Sequence, residues 1–61
     1  MFSPVTNKTY YIGAKVREIS SGKIGQIYQV NVLNSNGIRV KFGDCKKAYF
    51  GNQLLSLELL D

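Results

Sequence analysis

The sequence predicts an all-β fold, a single small barrel of five short strands. Three observations carry that expectation. Ile38, Val40 and Phe42 alternate with Arg39 and Lys41, which is the period of a strand with one buried face. Short runs rich in β-branched and aromatic residues recur between turn signals at residues 20–23, 34–37, 43–44 and 51–52. No segment of useful length has the 3.6-residue period of an amphipathic helix; only the leucine-rich residues 54–60 approach it.

The elements follow in order. Residues 1–9 contain Pro4 and the polar run Thr6-Asn7-Lys8-Thr9, so they read as an N-terminal tail or a loose edge segment, with the barrel over residues 10–61. Tyr10 and Tyr11 open the barrel, and one of two adjacent strand residues must point outward. Residues 14–19 alternate: Ala14, Val16 and Glu18 fall on one side, Lys15, Arg17 and Ile19 on the other. Gly22 marks the next turn. Residues 24–33 favour strand, but alternation from Ile24 groups Tyr28, Val30 and Val32 and leaves Ile27 and Leu33 opposite. A bulge or strong bend near Gly25 or Gln29 reconciles the two sets. Asn36-Gly37 is the turn signal of the next hairpin. After residues 38–42 and the Gly43-Asp44 turn, residues 46–50 form a fourth strand. A turn near residues 52–54 then leads into a last strand over residues 55–59.

Sixty-one residues make one domain, and a chain of that size buries only roughly 60% of its unfolded surface. It has one cysteine, Cys45, and no histidine, so an internal disulfide and a His-based metal site are both excluded, and no cofactor is expected. A lone cysteine fits a reducing compartment. The N-terminal residues lack a charged start followed by an apolar run, so no signal peptide is expected. No apolar run approaches the roughly 20 residues that span a bilayer. Together these point to a cytoplasmic protein with no membrane partner. The net charge of +4 is unevenly placed: residues 1–47 hold all eight basic residues and two acids, and residues 48–61 hold two acids and no base.

Three segments carry a family resemblance: Gly13-Ala14-Lys15-Val16-Arg17, then Ser21-Gly22-Lys23-Ile24-Gly25-Gln26-Ile27, then Ile38-Arg39-Val40-Lys41-Phe42. Over residues 13–42 the chain resembles the SH3-like barrels that include KOW-type domains. Those begin with a G-x-x-V strand and carry a Gly-Lys-x-Gly turn into the second strand. The loop at residues 20–23 is shorter than in that pattern. The resemblance implies a five-stranded SH3-like barrel that contacts RNA, DNA or a protein partner.

Candidate chemistry is thin on the catalytic side. Without histidine there is no general acid–base near neutral pH, and the acids Glu18, Asp44, Glu58 and Asp61 are scattered, so an enzyme is not expected. Cys45, between Asp44 and Lys46-Lys47, has no companion base and reads as a small residue at a turn. The basic set is the stronger candidate. Lys15, Arg17, Lys23, Arg39, Lys41, Lys46 and Lys47 are expected to contact nucleic-acid phosphates, with Tyr28 and Tyr49 stacking on unpaired bases. Outward strand cations also serve as an ordinary solvated face that blocks edge aggregation. The alternative is a protein-interaction module, an accessory subunit or a small phage- or plasmid-type regulator. It would use an apolar face of Leu55, Leu57 and Leu59 with exposed tyrosines, toward a protein partner or a second copy.

Overall fold

The computed structural model describes residues 1–60. Strands β1 (Phe2–Ser3) and β2 (Lys8–Thr9) pair with each other as a small hairpin. Strands β3 (Lys15–Glu18), β4 (Ile24–Val30), β5 (Gly37–Phe42), β6 (Cys45–Phe50) and β7 (Leu57–Leu59) form one antiparallel sheet. Their order across it is β6-β5-β4-β3-β7. The sheet curls into a half-barrel with its core on the concave side. Successive strand residues face opposite sides, so one parity of each strand supplies that core. Val16 comes from β3, Ile27 from β4, Ile38, Val40 and Phe42 from β5, Tyr49 from β6 and Leu57 from β7.

Two features of β4 let the sheet curl. The pairs Gln26–Lys41 and Ile27–Val40 are followed by Gln29–Arg39, so Tyr28 is the extra residue of a β-bulge. Tyr28 and Gln29 are consequently both exposed, and Ile27 is buried while Ile24 lies outside. The bulge expected near Gln29 is there. Gly25 is the second feature. A Cβ at Gly25 would lie 2.7 Å from the side chains of Phe42 and Val40 and 2.8 Å from the Lys41 carbonyl oxygen. The missing side chain is what lets β5 fold over β4.

The loop before β5 differs from its sequence expectation. Asn36-Gly37 does not form the turn. The left-handed residues are Asn31, Leu33 and Asn34, around the 3₁₀ turn Val32–Asn34. Val32 is buried there, and the chain must reverse early to put it inside. Gly37 instead opens β5 opposite Phe50, where a Cβ would stand 2.4 Å from the Phe50 ring. The β5–β6 turn does follow expectation. Of Gly43 and Asp44 only Gly43 has positive φ, as a glycine-first hairpin turn requires.

Both ends of the chain are also more ordered than their sequence suggests. Residues 1–9, expected as a tail or loose edge segment, contribute the β1–β2 hairpin. The Met1 amino group donates to the Tyr10 carbonyl at 2.6 Å, and the Tyr10 N–H donates to Met1 oxygen at 2.6 Å. Ser3 and Tyr10 are buried, while Tyr11 points outward. At the other end, a 3₁₀ helix covers Gly51–Ser56, and β7 is three residues rather than the five expected. Gln53 starts that helix by accepting a hydrogen bond from the Phe50 N–H at 2.9 Å. Its turn carries Leu54 into the core and leaves Leu55 outside. No helix among the described residues is long and apolar enough to cross a membrane.

The two close approaches predict different costs. Gly25→Ala meets backbone as well as packed side chains and is expected to destabilise by about 1–3 kcal/mol. Gly37→Ala meets only the half-buried Phe50 ring, which can swing outward, and is expected to cost less. Urea unfolding midpoints of the two variants check the order.

Candidate functional site

Cross-strand partners share a side of the sheet, so pairing decides which charges meet. Lys15 pairs with Gln26, Gln26 with Lys41, and Lys41 with Lys46. These four exposed residues form one row across the convex face from β3 to β6. Two residues along the strands, about 7 Å away, Gln29, Arg39 and Ala48 form a second exposed row. The bulge places Tyr28 beside it. The Lys46 ammonium stands 5.6 Å from the Tyr28 ring centroid, within cation–π range. Tyr28, Arg39, Lys46, Lys47 and Ala48 line an open groove of about 250 Å³. Arg39, Lys41 and Lys46 have no carboxylate partner among the described residues.

The acids explain that imbalance. Glu18 follows Val16 on the concave side and receives three hydrogen bonds. They come from Lys47 Nζ at 2.6 Å, Ser21 Oγ at 2.7 Å and Tyr49 Oη at 2.9 Å. The Lys47 contact is the largest cause, with Ser21 and Tyr49 behind it, of a Glu18 pKa lowered from 4.5 to about 2. The same contact raises the Lys47 pKa, and burial raises that of Tyr49. Glu58 pairs across strands with Arg17 and forms an ion pair with it. Asp44 sits at the tip of the β5–β6 turn.

The residues singled out in the sequence therefore separate. Lys15, Arg39, Lys41, Lys46 and Tyr28 come together on the convex face. Arg17 shares that side, but its charge is matched by Glu58. Lys23 lies in the β3–β4 turn, off the two rows. Lys47 lies on the opposite side of β6 from Lys46 and is held by Glu18. Tyr49 is 5% exposed, packs its ring edge against Phe42 and presents no face for a base. The three leucines do not all share a face either: Leu57 and Leu59 line the concave side of β7 and Leu55 does not. Leu55 is 59% exposed, Leu57 is in the core and Leu59 is half-buried, because the 3₁₀ helix ends between Leu55 and Leu57.

Sequence reasoning passed over Gln26, Gln29 and Ala48, which carry no charge and join the site only through register. It also counted Glu18 among scattered acids. The signal for Glu18 was present: a carboxylate on the same side of β3 as Ala14 and Val16 needs partners. Comparison of the chain with protein-family models, with curated proteins and with solved structures finds no match.

Two predictions follow from this geometry. Because the Glu18 pKa is lowered on folding, its contribution is fully present above pH 4.5 and lost as pH falls toward 2. Lys47 and Tyr49 have raised values, so their contributions are present below their ordinary values of 10.5 and 10.0 and fade at higher pH. Thermal melts should show a plateau between these limits, and Glu18→Gln should flatten the acid limb. Leu57→Asp places a charge in the core and is expected to unfold the chain, whereas Leu55→Asp should leave the circular dichroism spectrum and melting temperature nearly unchanged.

Proposed function

We propose that this chain is a non-enzymatic binding module that contacts RNA or DNA through the convex face of its sheet. On the same reading, the curled sheet is a barrel of the SH3-like, KOW-like kind. The observation that carries the proposal is the placement of Arg39, Lys41 and Lys46 on neighbouring strands. They share one face and lack a carboxylate partner among the described residues. Lys15 extends their row across the sheet.

Like charges at this spacing repel one another, and a polyanion relieves that repulsion while releasing its own counterions. Of the three described acids, Glu18 is on the concave side, Glu58 is paired with Arg17 and Asp44 sits at the β5–β6 tip, so none is a cross-strand partner within these rows. The leucine segment offers less to a protein partner, because its members are divided between core and surface.

Fluorescence anisotropy with labelled oligonucleotides tests the reading. Binding is expected at about 50 mM salt and should weaken roughly tenfold or more by 200 mM, as for three to four phosphate contacts. The combined variant Arg39→Ala, Lys41→Ala and Lys46→Ala should abolish it and keep the fold. Lys8→Ala, on the separate hairpin, should bind as the unaltered chain does. Absence of binding at low salt, or full binding by the triple variant, would overturn the proposal.

A further inference from the structure

The geometry points to a single strand of nucleic acid, not a duplex, lying across β3 to β6 with its phosphates on the Lys15–Lys41–Lys46 row and an unpaired base on Tyr28. This rests on the nucleic-acid reading above and specifies the ligand of the same face.

Shape is the first reason. Direct duplex readout needs an element that enters a groove, and the major groove is about 12 Å wide. The basic face is four strands across, about 14 Å measured along the curled sheet before any side chain is counted. No α-helix occurs among the described residues. The narrow projecting element, the β5–β6 turn, carries Asp44 at its tip, which phosphates repel. The whole molecule measures 25 × 18 × 18 Å, and a convex face that small touches a rigid cylinder along little of its surface. A flexible strand can bend over it.

The second reason is the division of labour between the rows. One is cationic: Lys15, Lys41 and Lys46, with the Gln26 amide among them. The other, about 7 Å away, offers flatter groups: the Tyr28 ring, the Arg39 guanidinium and the Gln29 amide. That matches a ligand whose backbone is charged on one side and whose planar bases project to the other. Ala48 is the small residue of this second row. It keeps the groove between Tyr28, Arg39 and Lys46 open. Tyr28 faces outward by the same alternation as Gln26, and the bulge keeps the next residue, Gln29, outward beside it, where regular pairing would turn Gln29 inward. The Lys46 ammonium near the ring leaves one charge in position to meet a phosphate next to the stacked base.

The test compares oligo(dT), oligo(U), an abasic strand of the same length and a mixed-sequence duplex by anisotropy. Either base-bearing single strand is expected to bind at least tenfold more tightly than the abasic strand and the duplex. Tyr28→Ala should weaken single-strand binding roughly tenfold without changing its salt dependence. Tyr28→Phe should restore it. Lys41→Ala should instead lower the salt slope by about 0.7. Equal affinity for duplex and single strands, or equal binding by the Ala and Phe variants, would overturn this inference and leave the nucleic-acid reading standing. No binding to any of the four would remove both.

Discussion

The Glu18 carboxylate holds together strands that the backbone does not. It sits on β3, and the Lys47 and Tyr49 groups that donate to it sit on β6, three places away in the sheet. In a flat sheet those strands would be about 14 Å apart. The contacts of 2.6 and 2.9 Å exist because the sheet curls far enough to bring its concave side together. Strand β6 is an edge strand with backbone pairing to β5 alone. Its register with β5 sets which of its residues face outward, and anchoring the inner side chains to Glu18 reinforces that choice.

The convex face is supported by that anchor. Lys46 and Lys47 are neighbours in sequence, and a strand sends them to opposite sides. With Lys47 committed to Glu18, Lys46 and Ala48 are turned outward beside Lys41 and Arg39. Glu18 and Glu58 also take one cation each, Lys47 and Arg17. Arg39, Lys41 and Lys46, grouped on β5 and the outer side of β6, are left without a carboxylate partner among the described residues. Close packing serves the same end. Gly25 and Gly37 admit Phe42 and Phe50 at distances a Cβ would forbid, and the bulge lets Tyr28 and Gln29 both face outward while Val30 turns back toward the core.

Much of this was readable from residue order. The alternation of Ile38, Val40 and Phe42 with Arg39 and Lys41 told which face of β5 is buried, and the split of Ile27 and Leu33 from the set Tyr28, Val30 and Val32 told that β4 must break its period. Ala14 and Val16 set the inner side of β3 in the same way. The failures have physical causes. Asn36-Gly37 is a good turn dipeptide, but the burial of Val32 and the Phe50 ring over Gly37 override local preference. The leucine segment was ambiguous because apolar residues at nearly every position fit a strand or a helical turn equally well. The 3₁₀ geometry that buries Leu54 and exposes Leu55 depends on the core it meets. Tyr49 read as an outward aromatic for want of any knowledge of what lay opposite it.

By itself the sequence determined the all-β class, the inner and outer sides of β3 and β5, and the excess of base over acid. Those follow from short-range periodicity and composition, which need no partner strand. Only the tertiary structure decided which cations act together. Lys15, Lys41 and Lys46 are far apart along the chain and become a row through hydrogen-bond register. Lys47 and Tyr49 face away from that row, toward a carboxylate 29 and 31 residues earlier in the chain. Register and curl are properties of several strands at once, and neither is written in any one of them.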